Sequence, residues 1–212
     1  ALSSSERDTA NLVVTLWPLP GNSAVEPMLI VACDNGSPYC INPETLQSIG
    51  KLEDRLPEIK GKKMQAHMRM DEARQRLILC SSSFDTDDKT AKGGASSIVE
   101  FFEVDTNLNV VSTRKWSSRF MVFHDYMITD NYYVVPKNPA KFKWDELPWF
   151  ILGAKRAVEV FEMDDESCGE LVLIPRHTDG EALECKADSF FNIFHFGPSF
   201  EADGKVTVYG SV

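Results

Sequence analysis

No stretch of this sequence approaches the eighteen or more consecutive apolar residues of a membrane-spanning helix. The opening ALSSSERDTA lacks the basic-then-apolar layout of a secretion signal and does not start with Met, which is compatible with removal of an earlier targeting segment. Cysteine is scarce and scattered. Cys33, Cys40, Cys80, Cys168 and Cys185 form an odd set without a CxxC pair, which speaks against a disulfide framework and a thiolate zinc site and suits a reducing compartment. Positive charge is also short: 22 Lys and Arg stand against 32 Asp and Glu, for a net charge of −10 and a pI near 4.9. Such a chain has no field that draws it to phosphate backbones, so nucleic acid is not an expected partner. The one basic knot, IKGKK at 59–63, reads as a solvated turn.

What the sequence has is a series of short apolar runs, drawn from a 43% hydrophobic composition that can build a core over 212 residues. The runs at 28–33, 76–82, 97–104, 109–116, 120–128, 132–135, 158–163, 170–175, 189–196 and 205–212 are rich in Val, Ile, Phe and Tyr. Most are too short for helices, and turn formers such as DTNLN, TDN, DDESCG and EADG lie between several of them. Meandering antiparallel β-structure is predicted, as a sandwich, a barrel or part of a propeller. The stretch 81–97, SSSFDTDDKTAKGGASS, reads as a long solvated loop. The last run, KVTVYGSV, stops in mid-strand, and a closed β-architecture leaves no open edges, so one incomplete domain over 1–212 is expected.

One segment departs from the strand pattern. FKWDELPWFILGAKRA, 142–157, brings Leu147, Trp149, Phe150, Ile151 and Leu152 together ahead of Lys155 and Arg156. An apolar tip with basic residues behind it suits a surface lying in a bilayer interface, and equally a short helix packed on the protein's own surface.

Only four histidines occur: His67, His124, His177 and His195. His124 and His195 lie in aromatic runs, His67 just before a turn, and His177 in a turn of surface character. A lone histidine in an apolar run is most often a core residue with satisfied ring nitrogens, and separations of 57 and 71 residues match no local ligand spacing. Imidazoles from separate inward-facing strands would nevertheless suit iron, copper or zinc with an open position.

Several segments resemble, in order, the carotenoid cleavage oxygenases, the family that includes the visual-cycle retinoid isomerase. INPETLQSIG (41–50) is similar to the family's DPETL segment and QAHMRMD to its AHPKxD motif. FHDYMITDNYYVV resembles HDFAITENYVVF, LVLIPRH resembles LGVLPRHG, and FFNIFHFGPSFEADG resembles FNxFHxxNAYEDG. The resemblance runs from about residue 11 to residue 212. It implies the middle blades of a seven-bladed β-propeller, with N-terminal and C-terminal blades missing, the rest to come from the same or another chain. It further implies Fe(II) held by four histidines, of which three would be His67, His124 and His195; the fourth would lie past Val212. The implied reaction is cleavage by O2 of a double bond in a carotenoid or apocarotenoid, and the alternative is a non-catalytic carotenoid-binding or scaffold member within a membrane complex.

In the family a glutamate shortly before the DPETL segment accepts the second N–H of a ligand imidazole. Here that position is Asp34, one methylene shorter. The neighbouring Cys33 stands where lignostilbene-cleaving members carry lysine, which favours a carotenoid or apocarotenoid substrate. The resemblance also favours the membrane-facing reading of 147–152, and with it a peripheral location on a membrane in a reducing compartment, the plastid being one such compartment and the cytoplasm the alternative.

Overall fold

The computed structural model describes residues 12–19, 23–85, 96–146, 148–149, 152–155, 159–164 and 166–211. Sixteen strands are formed among them. The described residues group into two compact units, one within the span to Ser83 together with Val99–Lys115, the other within Phe84–Ile98 and Trp116–Val212.

The first unit opens with a four-stranded antiparallel meander of β1 (Val13–Trp17), β2 (Met28–Ala32), β3 (Tyr39–Ile41) and β4 (Ser48–Lys51). In β2, Met28, Ile30 and Ala32 are buried while Leu29 and Val31 are half-buried, the period-two signature of a strand with one face on a core. The turn between β3 and β4 is built by Asn42, whose side-chain oxygen accepts from the backbone N–H of Glu44 and Thr45, both at 2.9 Å. A second meander consists of β5 (Arg69–Asp71), β6 (Arg76–Asp85), β7 (Ser96–Val104) and β8 (Val110–Arg119). Trp17, Met28, Ile30, Leu52, Leu56, Ile59, Met64 and Phe102 close the core of this unit. A fully buried side chain of this size contributes about 1.5–3 kcal/mol through removal from water.

The second unit holds a sheet in the order β14 (Leu183–Lys186), β13 (Glu170–Pro175), β10 (Tyr132–Lys137), β9 (Met127–Ile128). Between β10 and β13 the chain leaves to form the separate hairpin of β11 (Ala140–Phe142) and β12 (Phe161–Met163). Lys137 is buried on β10 and its ammonium lies 3.1 Å from Glu170 and 2.8 Å from Glu184, tying three adjacent strands. A last pair, β15 (His195–Ala202) and β16 (Lys205–Ser211), packs Phe196, Val206 and Val208 against Val134 and Leu173.

Three expectations are corrected. The runs 120–128 and 189–196 are not continuous strands: only Met127–Ile128 and the residues from His195 onward pair in sheets. Buried polar side chains take over the backbone bonds there. Nor is 81–97 wholly loop, since β6 runs to Asp85 and β7 starts at Ser96; residues 86–95 lie outside the described residues. The strands β3, β4, β5, β11 and β14 were not expected, being too short or too polar to show an apolar period.

Candidate metal centre

In the first unit, His67 follows a segment stitched into its surroundings on both sides. Gln65 N–H donates to Cys80 O at 2.8 Å, Met64 forms bridges with Gly36 and Ser81, and Ala66 N–H donates to the Asp34 carboxylate at 2.9 Å. The side chain of His67 is half-buried. Asp34 therefore fixes the backbone one residue before His67.

In the second unit, His124 and His195 are brought together, with ring centroids 5.1 Å apart, planes at 72°, and ligand nitrogens within 4.8 Å. His124 is half-buried and His195 exposed. His124 is in the irregular segment before β9, whereas His195 is the first residue of β15 and pairs with Ser211 of β16. Phe194 stacks on the His124 ring at 4.3 Å and 13° and meets the His195 ring edge-on at 4.6 Å.

Polar side chains hold these irregular segments. The Ser97 hydroxyl donates to Met121 O and accepts from Met121 N–H, at 3.1 and 3.0 Å. The Asn138 amide does the same for Ile193, donating to its carbonyl and accepting from its N–H, each at 3.0 Å. It thereby acts as a one-residue strand. The Asp125 carboxylate, 1% exposed, accepts from Tyr126 N–H at 2.7 Å and Phe196 N–H at 2.8 Å. Sequence reasoning missed Asp125, Asn138 and Phe194. Asp125 had a usable signal, an acidic residue directly after a motif histidine; Asn138 had none.

His177 is exposed, its ring nitrogen 2.8 Å from Asp130 O, away from the pair. In the 142–157 segment, Leu147, Phe150 and Ile151 lie outside the described residues. Trp149 and Leu152 are 53% and 71% exposed, on a turn that ends at Gly153 with a positive φ of 76°. Among the described residues, Lys155 pairs with Glu146 at 2.6 Å and Lys143 with Glu162 at 3.2 Å, and Arg156 lies outside them.

Two imidazoles this close suit a transition metal by donor chemistry, since nitrogens ~2.1 Å from one ion at a right angle stand ~3 Å apart, within reach of small ring rotations.

Small sheets of two and four strands following one another along the chain define part of a β-propeller as the class. A family model described as retinal pigment epithelial membrane protein, RPE65, matches residues 2–212, and the chain belongs to that family of carotenoid cleavage oxygenases and retinoid isomerase. Among solved structures, an ACO/RPE65 chimera and cobalt-substituted Synechocystis ACO each match with a TM-score of 0.71 at 24% identity. Each match covers 85% of this chain and 36% of the other, so the chain spans about a third of those proteins' length. The fold is accordingly all-β and part of a seven-bladed β-propeller. A comparison with curated proteins gives no match.

Proposed function

We propose that the protein carrying this chain is an Fe(II)-dependent oxygenase that cleaves a double bond of a carotenoid or apocarotenoid with O2. The observation that carries this reading is the His124–His195 pair, two nitrogen donors within 4.8 Å, one within and one directly after irregular segments held by buried polar side chains. His67 is proposed as a third ligand on the strength of its QAHMRMD motif, with Asp34 orienting it through the backbone of Ala66. When bound, ferrous iron held by neutral imidazoles supplies the electrons for O2 activation. The residues of the chain orient the imidazoles, and the Phe194 ring shields one face of His124 from water.

A cobalt-substituted form exists of one similar structure, which supports a divalent ion in the related site. The test is elemental analysis of the full-length protein beside its His124→Ala variant. About one iron per chain, absent from the variant, is expected, followed by oxygen-dependent release of carbonyl products from an apocarotenoid. Absence of iron from both proteins would leave the polyene-binding reading.

Collection of a lipid-soluble substrate from a membrane surface is part of the same proposal, supported by Trp149 and Leu152, which expose large apolar side chains on one turn. Because the neighbouring Lys155 and Lys143 are paired with carboxylates, burial of apolar area rather than attraction to anionic lipid should dominate. Trp149→Ser with Leu152→Ser should weaken binding to neutral phosphatidylcholine vesicles several-fold. Unchanged sedimentation with the vesicles would remove the membrane from the proposal.

A further inference from the structure

The residues after the two histidines of the second unit share one carboxylate. Asp125 directly follows His124, and its two oxygens accept separately, one from Tyr126 N–H at 2.7 Å and the other from the N–H of Phe196 at 2.8 Å. Phe196 directly follows His195, 71 residues further along the chain than Asp125. Consecutive Cα atoms are ~3.8 Å apart, so a bond to the amide of Phe196 also restrains the backbone of His195.

Two further features make this bond more than ordinary packing. Asp125 is 1% exposed, and a buried carboxylate is tolerated only when hydrogen bonds replace its lost water. Bonds from backbone N–H groups to an ionised carboxylate are also roughly twice as strong as neutral ones. The surrounding backbone is irregular: residues 120–126 have no strand, and their one bridge is at Val122 with Asn138. Sheet pairing holds His195, opposite Ser211, but not His124, so it does not by itself set the distance between them.

We propose that Asp125 is a positioning residue whose carboxylate, by accepting from Tyr126 and Phe196 together, sets the separation of the His124 and His195 imidazoles. Its consequence for metal binding rests on the reading under Proposed function, whereas the clamp itself is a property of the protein without metal. An amide in place of the carboxylate offers one acceptor oxygen where two backbone donors converge, so Asp125→Asn must leave one of them facing an NH2 group.

The experiment uses the full-length protein as wild type, Asp125→Asn and Asp125→Ala, with fold checked by far-ultraviolet circular dichroism. Titration with Co(II), read by visible absorption, reports ligand geometry without turnover, and amide exchange resolved at Phe196 reports the clamp. The expected result is Co(II) binding weakened 10–100-fold in Asp125→Asn, the range seen when groups outside the ligand set lose their orienting bonds, with an altered band. Faster exchange of the Phe196 amide should accompany it, and Asp125→Ala should show the larger effect. Wild-type Co(II) affinity and spectrum in Asp125→Asn would overturn the positioning role, even if exchange were faster. Should the wild type itself show no Co(II) band, the metal reading fails; Phe196 exchange then decides the clamp alone, and unchanged exchange overturns it. If the alanine variant does not fold, the asparagine variant carries the same decision.

Discussion

In the first unit the backbone leading to His67 is tied into sheet-like pairing: Met64 bridges two neighbours, Gln65 donates to Cys80, and Ala66 donates to Asp34. Beneath it lies a closed core of large side chains around Trp17, Met28 and Phe102. In the second unit strand pairing lapses at His124 and in the segment just before His195, and Ser97, Asp125 and Asn138 take its place with side chain to backbone bonds. The second unit has buried apolar side chains of its own, among them Tyr126, Tyr133, Val134, Ile174 and Ile193. The difference teaches where each unit is vulnerable. The surroundings of His67 should fail by loss of apolar volume, the segments that carry His124 and lead to His195 by loss of single polar groups.

The largest effect is expected from Trp17→Ala, which empties the core of the first unit and removes the indole N–H bond to Asp105 O. Urea denaturation should show a loss of about 3–5 kcal/mol, the usual range for truncating a buried aromatic. Phe194→Ala in the second unit removes a comparably large ring that is exposed, and should cost little stability. Equal losses from the two variants would erase the contrast between the core beneath His67 and the exposed ring beside His124.

Next comes Asn138→Ala, which leaves the N–H and C=O of Ile193 without their partner in a buried setting. With about 1–3 kcal/mol for each buried group left unsatisfied, and the lower half of that range where the segment can shift toward water, a loss of about 2–4 kcal/mol is expected from the removal of one small side chain. Asn138→Asp keeps only the acceptor half and should fall between. An alanine variant as stable as wild type would show that the 189–194 segment is held by packing instead.

Gly169→Ala should cost less, about 1–3 kcal/mol as overpacking. A Cβ at this position would stand 2.5 Å from the Phe191 ring, so the ring and the segment leading to His195 must move. The measurement is thermal unfolding together with Co(II) binding by the full-length protein. A drop in stability with metal binding intact would separate the packing of Phe191 from the placing of His195.

Much of the fold was legible because it follows from period-two burial. Met28, Ile30 and Ala32 in β2, or the Ile, Val and Phe residues of β7, carry that signal. The hairpin of β15 and β16 was legible from EADG, where Asp203 and Gly204 both take positive φ. The irregular course of 120–126 and 189–194 was not, since these residues are as aromatic as strands and differ only in where their backbone bonds go. Ser97 and Asn138, the partners for those bonds, are distant in sequence, and no local pattern couples Asn138 to Ile193. Three site histidines were legible only through ordered motifs, because separations of 57 and 71 residues carry no ligand spacing of their own.

The smallest effect expected tests the units with one device common to both. Burial raises the Asp105 carboxyl, but bonds from Asn109 and Asn107 outweigh it and hold the group below its ordinary 3.8. Burial likewise raises Glu201, and bonds from Asn131 and Thr129 outweigh it, holding it below 4.5. A carboxyl depressed on folding adds stability that is complete above its unfolded value and is lost as pH falls through its folded value. Acidification should therefore reach the Glu201 contribution in the second unit from about pH 4.5 downward, before the Asp105 contribution in the first, which begins to fade near 3.8. Both groups are largely solvated, so each difference is small. Urea midpoints of Glu201→Gln and Asp105→Asn, taken against wild type from pH 7 to pH 3, should show a constant deficit that shrinks first for Glu201→Gln. A deficit that does not change with pH would mean that these carboxylates stabilise their turns by shape alone, and the same hydrogen-bonding device would no longer distinguish the acid response of the two units.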